Sequence, residues 1–486
     1  MNKLFIVTLL LITIGQTALG QEKFSLDEII ALAKEQSPSA KQAETRKQNL
    51  YWQYRLFRSN YNPQLLLTGQ LPGLRRGFFQ RDQDDGGTIA VNTRITNTNL
   101  GLGLVQPIPQ TGGSISVNTG FNVTTTFDST SIRGNVPSWN SNVFEIALNQ
   151  PIFAFNQLKW DKKIEPLRYE ASKKGFVEDM EFVARIAVER YFDYLEAQVS
   201  LRVAEFNLAN NDTIYNIEKG RYNIGTTSKD KLLQVELQLL RSRRDVARAA
   251  LDLQSSKLGL NSFVGLTNVD FDLVLPQETP VFQIDVEEAL LYARGNRSSY
   301  VNFEQRRLVA ARNLAQAKGE RFQINLRASI GRSGFGDLFN EAVNDLSELQ
   351  TANITLQVPV LNWGRNEASI KTAIAEQQLT EYTIRQEELD FDQEIITLVG
   401  RMNLLRAQLD IAFKSDSVAQ ARYAVSQNRY LIGKIDITNL NIALQEKDAS
   451  KIGYVQALRE FWTAFYDLRR LTLYDFVNRQ LLYTEE

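Results

Sequence analysis

Leu148-Asn-Gln-Pro151-Ile152-Phe153 is followed later in the chain by Arg221-Tyr222-Asn-Ile224-Gly225 (221 − 151 = 70). The same arrangement recurs with the same spacing. Leu356-Gln-Val-Pro359-Val360-Leu361 is followed by Arg429-Tyr430-Leu-Ile432-Gly433 (429 − 359 = 70). Both pairs sit at one offset (359 − 151 and 429 − 221 each give 208), so no insertion separates the copies over that span. A repeat this large implies two structurally equivalent halves, each holding a strand pair followed by a very long helix pair.

The start of each half repeats as well. Phe24-Ser-Leu26-Asp-Glu-Ile-Ile-Ala31-Leu32 parallels Phe282-Gln-Ile284-Asp-Val-Glu-Glu-Ala289-Leu290 at an offset of 258. The drop from 258 to 208 leaves about 50 extra residues in the strand region of the first half. These are expected to be mostly loop, with room for an added hairpin. The expected division is a leader over 1–20, a first repeat over 21–275 and a second over 276–486.

The 486 residues include no Cys and no His, which removes disulfides, thiolate nucleophiles, His general bases and the usual Zn, Cu or Fe sites. No cofactor is expected. The 55 Lys and Arg nearly cancel the 56 Asp and Glu, so nothing suggests a nucleic-acid partner. Lys3, the apolar run Leu4 to Ile14 and Ala18-Leu19-Gly20 read as an export signal with a mature start at Gln21. The alternative is a membrane anchor, for which the apolar run is short of the ~20 residues a spanning helix needs.

The eleven prolines leave two gaps, 167–275 and everything after 359. Proline inside a helix costs about 3 kcal/mol, so long gaps rich in Ala, Leu, Gln, Glu, Arg and Lys predict long helices. Helices are expected at about 25–58, 157–223, 227–264, 285–319, 364–431 and 435–477. Leu232, Val235, Leu239, Ser242, Val246, Ala249 and Leu253 step by three and four. So do Val418, Ala421, Val425, Asn428 and Ile432. Such spacing reads as a coiled-coil seam or as an ordinary buried helix face. The small residues in it favour a wide helical barrel over a tight zipper.

Between the helices the period changes to two. Phe322, Ile324, Leu326, Ala328 and Ile330 alternate with polar residues, as do Ile354, Leu356 and Val358. Ile115, Val117, Phe121 and Val123, then Phe144, Ile146 and Leu148, do the same in the first half. These predict strands of about nine or ten residues with one apolar face, the length of a tilted transmembrane strand. A soluble sandwich alternates in the same way. Export and very long helices favour the membrane barrel. The stretch 72–97 reads as an exposed loop. Gly69 to Gly77, Gly112-Gly113 and Gly331 to Gly336 read as turns between strands.

Each helix pair reverses at a short polar turn. The first runs Arg221-Tyr222-Asn-Ile224-Gly225-Thr226-Thr-Ser228-Lys-Asp230-Lys231, the second Arg429-Tyr430-Leu-Ile432-Gly433-Lys434-Ile-Asp436-Ile-Thr-Asn439. Gly provides the left-handed residue that ends a helix, and Ser228 or Asp436 can cap the next.

Leader, duplicated strand and helix pairs, proline closing each strand pair, and the two R-Y-x-I-G tips together resemble the TolC-type outer membrane efflux protein family over essentially the whole mature chain. The resemblance implies an α+β membrane protein and a homotrimer. Three chains with four strands each would share one twelve-stranded β-barrel in outer membrane lipid. A periplasmic coiled-coil helical barrel would continue it, tapered at the tips. It implies a passive export conduit, not an enzyme, opened by a periplasmic adaptor and an inner-membrane pump. By the same resemblance the adaptor docks at Ile224-Gly225-Thr226 and Ile432-Gly433-Lys434. The gate would comprise Arg221, Tyr222, Gly225, Asp230, Lys231, Arg429, Tyr430, Gly433, Asp436 and Asn439. The family often has an Asp six residues after the tip Gly. Here Lys231 and Asn439 stand there, with acids displaced to Asp230 and Asp436, so an acidic entrance ring does not carry over. The competing readings are a periplasmic coiled-coil spacer without a pore, which predicts no alternating strands, and an exported carboxylate enzyme, which predicts turn-borne acid pairs.

Overall fold

The computed structural model describes residues 22–82, 86–127, 137–266 and 270–483. The expected leader over 1–20 lies outside the described residues. In chain order the elements are β1 (Glu22–Phe24), α1 (Leu26–Gln36), α2 (Pro38–Ser59), β2 (Gln64–Asp82), β3 (Thr88–Ile108), β4 (Gly113–Phe127) and β5 (Pro137–Ile152). The long pair α3 (Gln157–Asn223) and α4 (Lys229–Val264) follows. Then come β6 (Phe271–Leu273), α5 (Val286–Asn296), α6 (Ser298–Gly319), β7 (Gln323–Gly336), α7 (Phe339–Asn344) and β8 (Leu346–Gln357). The second long pair is α8 (Arg365–Leu431) and α9 (Ile437–Thr472), and β9 (Tyr474–Asp475) and β10 (Gln480–Leu481) end the series.

α3 and α8 each have 67 residues, α4 and α9 each 36. At 1.5 Å per residue the longer pair run about 100 Å each. α3 and α8 start at the same offset as α4 and α9 (365 − 157 and 437 − 229 each give 208). For α1/α5 and α2/α6 the offset is 260 (286 − 26 and 298 − 38), two more than the letter match suggests. Equivalent positions are the fully buried Ala33 and Ala293. The expected helix over 25–58 is two helices. Ser37 is extended (φ −61°, ψ 145°) because the following Pro38 disfavours helical geometry there. Its hydroxyl then accepts from the Ala40 amide at 3.1 Å and caps α2. Arg297 makes the same break between α5 and α6 (φ −70°, ψ 142°).

The chain divides into two compact units. One holds residues up to 46, 174–297 and from 392 on. Its core is aromatic: Tyr191, Phe192, Phe271 and Phe461 are fully buried. Tyr194 donates to the Phe271 carbonyl at 2.5 Å, which pins β6, and β6 pairs in parallel with β1. Glu181, almost buried, accepts from Lys34 at 2.6 Å and Arg469 at 2.9 Å, so charge is neutralised where helices α1, α3 and α9 meet.

The other unit, 47–173 and 298–391, carries the sheet. Among the described residues six strands form one antiparallel sheet in the order β2-β3-β4-β5-β7-β8. This corrects the loop expected over 72–97, of which residues 72–82 are built into β2 and 88–97 into β3. Arg75 pairs with Ile95 and Gly77 with Thr93, so ladder hydrogen bonds override the loop-like composition. The register slips between Gln70 and Gly73, where Leu71-Pro72 opposes one residue and the proline needs no ladder donor. The strands run 12 to 21 residues, longer than expected.

Of the expected glycine turns only Gly112-Gly113 reverses the chain, with Gly112 at φ 76°. Gly331 and Gly334 lie inside β7, where a Cβ would collide with the Phe144 and Ala342 carbonyl oxygens. They are glycine because a backbone passes close by.

Gly331→Ala should therefore destabilise the sheet by about 1–3 kcal/mol, the usual cost of overpacking. Thermal unfolding in detergent, followed by far-UV circular dichroism, reads this as a lower midpoint. Gly69→Ala, whose Cβ would meet the end of the Leu100 side chain at 3.1 Å and the Asn99 carbonyl oxygen at an ordinary 3.4 Å, should lose much less. Equal midpoints for the two variants would contradict the collision.

Candidate functional site: helix-hairpin tips and sheet faces

Both tips are built the same way. At the first, Gly225 (φ 76°) follows α3; the Thr226 amide donates to the Arg221 carbonyl at 2.9 Å and the Gly225 amide to that of Tyr222 at 3.0 Å. At the second, Gly433 (φ 73°) follows α8, with Lys434 donating to Arg429 at 2.8 Å and Gly433 to Tyr430 at 2.9 Å. This is the double bond pattern that satisfies the last carbonyls of a helix. Ser228 then caps α4 by accepting from Lys231, and Asp436 caps α9 by accepting from Asn439 at 2.9 Å. Asp230, in the first turn of α4, complements the positive helix end.

The side chains of the two tips are not equivalent. Glu218 joins them. Tyr430 donates to Glu218 Oε1 at 2.7 Å, and Arg221 Nη1 donates to the same oxygen at 2.7 Å. Arg221 Nη2 reaches the Leu431 carbonyl at 3.3 Å, and its guanidinium lies 5.6 Å from the centre of the Tyr430 ring. The end of α3 is thus tied to the end of α8. By the 208 offset Tyr222 corresponds to Tyr430, yet Tyr222 is exposed. Arg429 is exposed, and its side chain makes no hydrogen bond or ion pair among the described residues. Ile224 and Ile432 project outward, 74% and 66% exposed, and Thr226, Lys231, Lys434 and Asn439 lie at the surface around them.

Burial alone would raise the Glu218 carboxyl. The hydrogen bonds from Tyr430, Arg221 and Thr227, with the arginine charge, outweigh it, and its pKa falls below the usual carboxylate value. The Tyr430 hydroxyl is pushed up, first by burial and then by Glu218, so it stays a neutral donor. Below the tips α3, α4, α8 and α9 share a small core of Ile214, Val235, Tyr423, Leu440 and Leu444. Asn210 donates to Tyr423 at 2.7 Å, and Asn211 to Ser242 at 2.7 Å in a buried position. Glu218, Thr227 and Asn210 escaped the sequence reading. Only the Glu218–Arg221 spacing of three on one helix gave a readable sign of pairing.

The expected seam on α4 is buried at Val235, Leu239, Ser242 and Ala249. The seam expected on α8 is not buried within the single chain. Val418, Val425 and Ile432 are 58–66% exposed, and α8 turns Ala419, Tyr423 and Tyr430 inward instead. Leu404, Ile411, Val418, Val425 and Ile432 then form an outward apolar stripe with a spacing of seven. On α4 Leu237, Leu251 and Leu258 are also outward, at spacings of fourteen and seven, with Arg244 at the position between the first two.

The sheet separates its faces by chemistry. One transverse row is Leu65, Leu104, Val117, Ile146 and Ile330; its neighbours on the same face include Leu67, Leu102, Phe121 and Leu148. The other face carries Asn99, Asn122 and Asn140 in one row, and Ser116, Ser329 and Thr351 in another. Among the described residues no helix is long and apolar enough to cross a membrane. Phe121, Trp139 and Phe339 cluster on the apolar side, with centroids 5.2–6.0 Å apart, where α7 lies against β5 and β7.

Similar proteins agree with this arrangement. In fold the chain is similar to a membrane protein from Pseudomonas aeruginosa (14% identity, 93% of this chain and 91% of that one covered, TM-score 0.66). It is similar to the Campylobacter jejuni CmeC outer membrane channel (13%, 92% and 85%, TM-score 0.65). It is also similar to the open state of the Neisseria gonorrhoeae MtrE outer membrane channel (16%, 92% and 88%, TM-score 0.61). Curated protein sequences give no match. The family described as outer membrane efflux protein matches residues 108–266 and 307–472, about two thirds of the sequence and both long helix pairs, and the chain belongs to that family.

Proposed function

We propose that the chain forms the outer membrane channel of a tripartite efflux or type I secretion system, as a homotrimer. In this reading the apolar face of the sheet meets lipid, the Asn/Ser/Thr face lines water, and the helix pairs of three copies wall a periplasmic tunnel. The conduit is passive and does no enzymatic chemistry. A periplasmic adaptor docks on Ile224, Gly225 and Thr226 and on Ile432, Gly433 and Lys434, and an inner-membrane pump supplies the energy. The repeats 21–275 and 276–486 are two copies of one ancestral unit, exported by the leader 1–20.

The observation that carries the assembly is the apolar stripe on α8. Four large apolar residues at heptad spacing, Leu404, Ile411, Val418 and Val425, each more than half exposed, ask for a partner helix. The outward leucines of α4 supply a matching surface on a neighbouring copy. Ile411→Asp with Val418→Asp should abolish the trimer in native mass spectrometry while leaving helical circular dichroism unchanged. A trimer that persists in this variant would refute the packing.

The Glu218–Tyr430–Arg221 tie is the closing bond of the tip. Tyr430→Phe removes a hydrogen bond to a buried carboxylate, worth about 1.5–3 kcal/mol, so the open population should rise roughly 10- to 100-fold. Single-channel recording in planar bilayers reads this as higher mean conductance. Arg221→Ser should act in the same direction and Arg429→Ser alone should not. The tie also has a pH signature. A carboxyl whose folded pKa is lowered contributes stability above its ordinary value, near 4.5, and loses it as pH falls through the folded one. Conductance should stay flat from pH 7 to about 5 and rise only below about 4.5. A rise centred near pH 6 would point to another group.

A further inference from the structure

The sheet ends in two unpaired edges. Among the described residues β2 bonds only to β3, and β8 only to β7. Residues 64–71 of β2 and 350–357 of β8 contain no charge and no proline, the usual devices that blunt an edge. Leu65, Leu67, Ile354 and Leu356, all on the apolar face, are 63–71% exposed. A row of free amides and carbonyls is not sustained in hydrocarbon, where each unsatisfied group costs several kcal/mol. Six strands of alternating direction leave β2 and β8 antiparallel, so β8 of one copy can continue into β2 of the next.

The geometry points to a barrel of eighteen strands, six from each of three copies, closed by β8–β2 ladders between copies. This rests on the threefold assembly proposed above and departs from four strands per chain. The added pair is β2 with β3: at the 208 offset β4 and β5 match β7 and β8 (113 + 208 = 321 and 137 + 208 = 345), and the difference between the two helix offsets (260 − 208 = 52) accounts for the length of the addition.

The register follows from the faces. Opposing Leu65 to Leu356 and Leu67 to Ile354 places all four on the lipid side and brings Gln64 opposite Gln357. Within one copy the row from Gln64 runs through Val105, Ser116, Ala147 and Ser329 to Thr351, six residues short of Gln357. Six residues of offset over six strands, at ~3.3 Å per residue and ~4.8 Å between strands, tilts the strands by about 35°. Closed barrels ordinarily tilt by about 35–45°. Two residues less would flatten the tilt to about 25°, below that range.

The chain has no cysteine, so the ladder can be tested by disulfides on the polar face. Opposed residues on antiparallel strands lie about 4.5–5.5 Å apart, within disulfide reach. Thr68→Cys with Asn353→Cys in the full chain, oxidised in outer membranes, should give covalent dimers and trimers and nothing larger on denaturing gels. Either single variant should give monomers. The neighbouring registers, Thr68→Cys with Thr351→Cys or with Thr355→Cys, should link several-fold less. Native mass spectrometry of the cysteine-free protein counts copies independently. A threefold mass with no link in any register overturns the closure and leaves the trimer standing. A ladder ending at another number overturns eighteen strands and the trimer, while the edge pairing stands.

Discussion

A backbone amide that faces hydrocarbon must find a partner within the protein, and much of this chain is arranged by that requirement. Among the described residues no helix is long and apolar enough to cross a membrane, and in the proposed channel the strands do the spanning. Their ladders satisfy the amides, and the two-residue period divides the side chains into a Leu/Ile/Val face and an Asn/Ser/Thr face. Glycine appears where backbones crowd. Gly331 lets β7 pass the slip in β5 between Asn142 and Phe144, and Gly334 makes room for α7.

The helices follow a different constraint. α3 buries a narrow stripe from Ile164 to Glu218, and α8 one from Ala373 to Tyr430. Their inward side is a mixed seam of aromatic rings, small residues and amide side chains, as at Tyr423, Ser242 and Asn210. Such bonds hold neighbouring helices in one register more than they add stability. The outward side of α8 keeps large aliphatic residues at heptad spacing.

The sequence made the helices legible because their signals are long and local. The proline gaps and the constant offset between the halves give α3, α4, α8 and α9 to within a few residues. It made the tip backbone legible too, since Gly225, Gly433, Ser228 and Asp436 act on near neighbours. The hairpin of β2 and β3 was obscured because arginines and glycines resemble loop until a partner strand supplies the hydrogen bonds. The inward face of α8 was misjudged for a related reason. Val418 and Tyr423 both fit a helical period, and only packing against α3 and α9 selects between them. Glu218 was missed because its partner Tyr430 is 212 residues away, a distance that no local pattern spans.

The duplication has not kept its two ends alike. The position matching Glu218 in the second half is Ser426, which carries no charge, and Arg429 and Tyr222 face outward without the acid that would engage them. In a threefold ring this leaves three latches rather than six, each fastening one hairpin to its neighbour within a chain. Unfastening all of them would demand about 5–9 kcal/mol, comparable to the free energy of one micromolar contact. A protein that grips the exposed isoleucines beside the latches could supply that by binding alone.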